Sequence, residues 1–234
     1  MNSVLLIACV GPMQSWGTRS RFQERDTERE PSKSGVIGML CAALGRDRNS
    51  SVEDLASLKM GARADREGIL RKDFQTAQNV AVASGGAGQD LLSNRYYLGD
   101  GAFLVGLEGD LGLLSRLHNA LASPIWPLYL GRKSYVPSSP PFLENGLVKG
   151  SDLRASLLEQ PLLISSKEVL RRQKKTEEGM DDGRIRIILE STEPSHETRR
   201  DQPVGFVFQK RTFRERFILT EYIDLASFSW KGED

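Results

Sequence analysis

Val4-Leu5-Leu6-Ile7-Ala8-Cys9-Val10, followed at once by Gly11-Pro12-Met13-Gln14-Ser15-Trp16-Gly17, is the stretch on which the fold turns. An unbroken apolar run with no polar alternation describes a strand buried on both faces, and Gly11-Pro12 predicts its end. The run is too short to span a bilayer, and no Lys or Arg precedes it as in a secretory signal. The chain is therefore expected in the cytoplasm, with no membrane contact.

Downstream, Thr18 to Pro31 is dense in both charges and has no apolar period, which predicts a loop. Pro31-Ser32-Lys33-Ser34 then opens a helix through Val36, Ile37, Met39, Leu40 and Leu44, capped by Ser32 or Ser34 and stopped by Gly45. Ser51-Val52-Glu53-Asp54 resembles a capping box and predicts a short second helix. Strands are expected at 61–66, 69–77, 94–98 and 102–107. A helix from Leu111 to Leu121 follows, capped by Asp110 and stopped by Pro124. Between the middle strands lies Ser84-Gly85-Gly86-Ala87-Gly88, which has nothing to pack and predicts a hairpin tip. The order strand, helix, strand, hairpin, strand, helix predicts an α+β chain compatible with a ferredoxin-like βαββαβ sheet. From it a hairpin of about 73–98 protrudes. After Ser151 the pattern is less regular: a helix over 153–163, a basic surface segment over 168–178, and strands at 184–190, 204–208 and 211–222.

With 234 residues, 39% of them apolar and 27% charged, the chain has the profile of a soluble globular protein of one large or two small domains. A net charge of +1 gives no global pull on polyanions, so any such binding must come from patches. Arginines outnumber lysines 22 to 10, a bias that suits phosphate and base contact but also follows from genome composition. Cys9 and Cys41 sit in apolar runs and are expected as buried thiols. No disulfide framework, Cys/His metal spacing or dinucleotide motif is present, so no metal or cofactor is expected.

Two turns combine glycine with aromatic, amide, hydroxyl and cationic groups: 14–17 and Leu130-Gly131-Arg132-Lys133-Ser134-Tyr135. That mixture suits a single-stranded nucleic acid better than bond-breaking chemistry. Trp16 can stack on a base, an interaction of roughly 1–3 kcal/mol, or can plug the core. Lys33-Ser34 at a helix start offers free N–H groups to a phosphate, or is an ordinary cap. Arg132 and Lys133 can clamp successive phosphates, or be a solvated turn. If 210–217 is a strand, Lys210, Thr212, Arg214 and Arg216 form a basic stripe on one face. His118 and His196 occupy no spacing that fixes a triad or a metal site, so no catalytic residue is assigned.

The segments Gly-Pro-Met-Gln-Ser-Trp-Gly (11–17), Lys-Ser-Gly-Val-Ile-Gly (33–38) and Tyr-Leu-Gly-Arg-Lys-Ser (129–134) resemble the CRISPR-associated RAMP-type subunits that cap the 5′ end of crRNA in type I-E Cascade. The likeness runs over 4–143 and resurfaces at 211–217. It implies a ferredoxin-like (RRM-like, RAMP) palm over 1–150 with a β-hairpin thumb, and a smaller, mostly β extension over 151–234 packed on it. It implies a non-catalytic subunit that binds the 5′ handle and displaces one base at the handle–spacer boundary with the thumb. The implied partners are crRNA, the Cascade backbone subunit, the large subunit, and target DNA indirectly. The implied contact residues are Gln14, Ser15, Trp16, Arg19, Lys33, Ser34, Arg132, Lys133 and Ser134, with Arg95 and Tyr97 where the thumb rejoins the palm. Some relatives cleave pre-crRNA, so a metal-independent endoribonuclease remains the alternative, with Tyr96, Tyr97, His118 and Lys133 as its available groups.

Overall fold

A computed structural model describes residues 2–19, 23–82, 85, 88–205 and 212–228. In chain order the elements are β1 (Ser3–Gln14), β2 (Glu24–Arg25), α1 (Lys33–Leu44), α2 (Glu53–Ala56), β3 (Lys59–Arg66), β4 (Ile69–Val80) and β5 (Gln89–Gly109), then α3 (Leu111–Ala122) and β6 (Leu147–Lys149). The remainder comprises α4 (Leu153–Glu159), α5 (Ser166–Glu177), β7 (Arg184–Ser191), β8 (Glu197–Gly205) and β9 (Thr212–Asp224). Among the described residues, nine strands share one sheet in the order β6-β1-β5-β3-β7-β9-β8, with β2 and β4 pairing the outer half of β5. The neighbours are antiparallel except β2 with β5.

The apolar run in β1 is unbroken because each face of that strand meets a separate core. Leu5, Ile7 and Cys9 pack with Val36, Ile37, Leu40, Phe103, Val105 and Leu117, under α1 and α3. Val4 and Leu6 point the other way, onto Leu104, Leu153, Leu157, Val169 and Ile187, under α4 and α5. Strand alternation thus distributes one apolar sequence between two layers.

β1 does not stop at Gly11-Pro12. It pairs with β5 through Gln14 opposite Leu98, and Pro12 alone has no partner in the register. The other neighbour, β6, pairs only Ser3 to Leu5. Beyond β6 that edge is met by the irregular segment 130–146, which bonds Leu6, Ala8 and Val10 before Pro12 and Ser15 after it; Pro12 falls between these contacts, where its missing N–H costs no bond.

The expected hairpin is present and longer at its root: β4 and β5 pair from Ile69 opposite Gly99 to Val80 opposite Gln89. Its arms carry exposed apolar residues, among them Leu70 and Phe74, because little else packs on them. Ser84, Gly86 and Ala87 of the glycine-rich tip lie outside the described residues. The loop expected at 18–31 contains the short β2, which runs parallel to β5 beside the thumb root.

The expected helices form at α1 and α3. Ser32 accepts the Gly35 N–H, Gly45 ends α1 in the left-handed region at φ 64°, and Asp110 accepts from Leu113. At α2 the predicted box is absent: the cap is Val52 with no side-chain bond, and Ser51 instead receives the Glu53 N–H at 3.3 Å. The segment 168–178, expected as a basic surface segment, lies almost wholly in the helix α5, which runs Ser166–Glu177 and is capped by Ser165. The strands after it continue the sheet directly, with β7 opposite β3 from Gly61–Leu189 to Ala64–Arg186. No described helix is long and apolar enough to cross a membrane.

Buried charges stitch these layers together. Arg63 and Asp65 on β3 are fully buried and paired at 2.6 Å. Arg63 also donates to the carbonyls of Leu157, Gln160 and Pro161, while Asp65 accepts the Leu163 N–H at 2.7 Å. The chain after α4 is thereby tied to the sheet. A second cluster joins Lys33 to Glu190, and Arg216 to Asp201 at 2.6 Å. Arg216 is inside the protein, so the basic stripe expected along β9 does not form; Lys210 lies outside the described residues.

Candidate nucleic-acid interface

The two glycine-containing turns are in direct contact. Ser15 donates its backbone N–H to Leu130 O at 3.1 Å, and its hydroxyl to the carbonyls of Tyr96 and Asp26 at 3.3 and 3.4 Å. Gly131, at φ 90°, lies against the Ser15 carbonyl, where a Cβ would overlap the oxygen. Arg132 then bridges the second turn to the thumb root. It donates to Tyr96 O at 2.9 Å, to Arg25 O at 3.2 Å and to the Tyr135 hydroxyl at 2.8 Å. Tyr135 in turn packs on Tyr97, ring centroids 5.9 Å apart.

These turns form one wall of an open groove of about 970 Å³, and the outer side of α1 forms another. Ser15, Ser34, Arg132 and Lys133 line it, as four of the expected contact residues. Arg25, Arg46 and Arg48 join them; Arg46 is held by Asp54 at 2.5 Å, so the other four cations face two lining carboxylates, Asp26 and Asp47. Trp126 stands at the lip, 45% exposed. On α1 the groove side is small: Gly35, Gly38 and Ala42, with Cys41 beside them. A positively biased channel with a free aromatic edge can hold a polyanionic strand.

Three expected contact residues have a different role here. Gln14 is fully buried; its amide donates to Cys9 O and Gly101 O and accepts from Trp16 Nε1 at 3.1 Å. Trp16 is likewise inside, its ring against Gly35, so it plugs the core beneath the groove. Lys33 is buried with Nζ 2.9 Å from Glu190, and burial pushes its ammonium below the usual lysine range while Glu190 pulls it back up. The Lys33 N–H at the start of α1 already holds the Asp201 carboxylate at 2.7 Å, in the place where a phosphate was expected. These side chains shape the groove from below and do not reach its surface.

Arg19 and Ser134 are exposed outside the groove lining. Arg95 and Tyr97 sit half-buried on the thumb root, Arg95 donating to Ser93 Oγ at 3.3 Å. His118 contacts Leu143 O at 2.9 Å and packs on Phe142, away from the groove, in agreement with a packing role. The sequence reading missed Arg25, Arg46 and Arg48. The Arg46-Asp47-Arg48 triplet directly after the Gly45 helix stop was the available signal.

The family model described as CRISPR-associated protein (Cas_Cas5) matches residues 4–218. The Cascade subunit CasD of the CRISPR system of Escherichia coli (strain K12) is 33% identical over 175 residues, which is 68% of this chain and 77% of that one. Among solved structures, one described as a Cas protein is 43% identical, covers 97% of this chain and 98% of its own, and superposes with a TM-score of 0.75. A chain of a CRISPR RNA-guided surveillance complex is 28% identical over 99% of this chain and 95% of its own, with a TM-score of 0.74.

Proposed function

This chain belongs to the CRISPR-associated Cas5 family, and from that premise we propose that it is a non-catalytic RNA-binding subunit of a type I-E Cascade surveillance complex. In this reading it holds the 5′ handle of crRNA, caps the backbone filament, meets the large subunit, and serves antiviral defence in the cytoplasm. Target DNA is met through the assembled particle.

The observation that carries the reading is the union of the two turns, with the thumb root, on one wall of a cationic groove. A strand lying there meets Lys133, Arg25 and Arg48 as phosphate partners and Trp126 as a stacking plane. The hairpin rises from the same wall, which suits it to displace a base where handle gives way to spacer. We read 1–150 as a ferredoxin-like RAMP palm. The order β6-β1-β5-β3 with α1 and α3 on one face supports this, and 151–234 is then an extension of the same sheet. His118 stands apart from the groove, which deprives the endoribonuclease alternative of its imidazole and leaves it Lys133, Tyr96 and Tyr97.

Crosslinking 4-thiouridine crRNA to the assembled complex tests the reading, with peptides mapped by mass spectrometry. Adducts from the handle on 126–134 or 46–48 are the expected result. A handle crosslinked only to surfaces remote from both turns would overturn it.

A further inference from the structure

The thumb root carries a second groove, on the opposite face of the sheet from the first. It has a volume of about 720 Å³ and runs between Gly68, Ile69, Gly99 and Asp100 at the root and the helix α5. The first groove lies along α1, which packs into one core layer; α5 packs into the other through Val169. The two grooves are thus separated by the sheet and have no lining residue in common.

Three of the four carboxylates lining this second groove are already engaged. Glu168 holds Arg66 at 2.6 Å, Asp181 holds Arg172 at 3.2 Å, and Glu67 holds Arg186 at 2.6 Å. Lys167, Arg171, Lys175 and Arg184 remain, all exposed and none in an ion pair among the described residues, against the single acid Asp100. Lys167, Arg171 and Lys175 are spaced i, i+4, i+8, so they form a row along one edge of α5 at intervals of about 6 Å. That interval is close to the step between phosphates in an extended strand. Protein interfaces are depleted in lysine and enriched in aromatic residues, and no aromatic residue lines this groove.

We propose that the α5 groove is a second RNA contact, which takes the sugar-phosphate backbone of the guide strand just after it passes the thumb. The proposal rests on the handle reading above. It adds a receiving surface on the far side of the hairpin: the first groove holds the end of the strand, the thumb interrupts its stacking, and the α5 row neutralises the phosphates that follow. Because the row reads backbone and not bases, it accepts any spacer sequence.

The test compares two single-stranded RNAs from the cognate array by fluorescence anisotropy on the full chain. One ends at the handle–spacer boundary and the other extends several nucleotides into the spacer. The wild-type protein is expected to bind the extended RNA about tenfold more tightly. In the triple variant Lys167→Ala, Arg171→Ala, Lys175→Ala that advantage disappears, handle-only binding stays at the wild-type value, and the log–log salt slope for the extended RNA falls by about 2. The charge-conserving Lys167→Arg, Lys175→Arg variant keeps the advantage. Equal binding of both RNAs by wild type, or an advantage that survives the triple variant, overturns the proposal. So does a triple variant that binds both RNAs normally but fails to assemble with the other subunits, which would make this face a protein contact. Loss of handle-only binding in Lys133→Ala reports on the first groove alone, so the two readings stand or fall separately.

Discussion

Gly131 lies directly on the carbonyl of Ser15, in a left-handed conformation that leaves no room for a side chain. Residues 116 positions apart thereby form one surface. Gly131→Ala is expected to force the turns apart, through both the overlap and the backbone strain, at a cost of about 2–4 kcal/mol. Urea unfolding measures the loss. At temperatures where the variant is still folded, RNA affinity falls as well, because Arg132 and Lys133 move with the turn.

Gly38 is the opposite case. It sits inside α1 facing the groove, and an added Cβ would meet nothing within 4 Å. Gly38→Ala is expected to stabilise the protein by about 0.5–1 kcal/mol, since glycine is the costlier residue within a helix. If RNA lies against α1, the same change weakens binding. A variant that melts higher and binds less well is the signature; one that melts higher and binds equally well shows that the strand does not approach this helix.

Lys33 separates a structural from a contact role. Lys33→Met removes one partner of Glu190, leaving that carboxylate with the Met60 N–H at 3.1 Å and Arg216 at 3.8 Å, and is expected to cost about 2–4 kcal/mol. RNA affinity of the folded variant should match wild type. A large affinity loss without a stability loss would return Lys33 to the RNA surface.

Arg63→Ala leaves the fully buried Asp65 carboxylate unpaired and three carbonyls of the segment after α4 without their donor. Breaking a buried pair in this way costs about 3–5 kcal/mol, which lowers Tm by on the order of 10 °C in a chain of this length. Differential scanning calorimetry gives the value directly.

The two thiols provide a probe that needs no mutation. Burial pushes Cys9 up to about 12, and burial, opposed by Arg46, also holds Cys41 above the usual thiol range. The thiolate is the reactive form, so at neutral pH both should label slowly, and labelling of Cys41 should go on accelerating with pH beyond the point where an ordinary thiol levels off. Cys41 lines the groove and Cys9 does not. Bound RNA is therefore expected to slow Cys41 alkylation in mass-spectrometric time courses.

What was legible in the sequence was what is local. The apolar run Val4–Val10, the Ser32 and Gly45 caps and the strand patterns on either side of the glycine-rich segment each act over a few residues, and the strand, the helix and the paired hairpin arms formed. The misreadings came from distant partners. Lys33 reads as a surface cation until Glu190 and Asp201 are brought to it from strands that follow it by more than 150 residues. Arg216 reads as part of a stripe until Asp201 takes it inside. Pro12 reads as a strand end because the irregular segment 130–146, which meets that edge without needing an N–H at Pro12, is invisible from residue 12. At the site, the pairing of the two turns came from shared composition, whereas the third cationic element, 46–48, carries no aromatic or glycine cue of that kind beyond Gly45.

β5 runs for 21 residues from the hairpin tip to the middle of the sheet, between β1 and β3. At the root, however, Asp100 takes a left-handed φ of 57° between Gly99 and Gly101, and the other arm leaves Gly68 at φ 75°. The finger is therefore a cantilever with a kink at its foot: a load on the tip travels inward along the strand that also forms the middle of the sheet, and the bend between the glycines is where it would yield first.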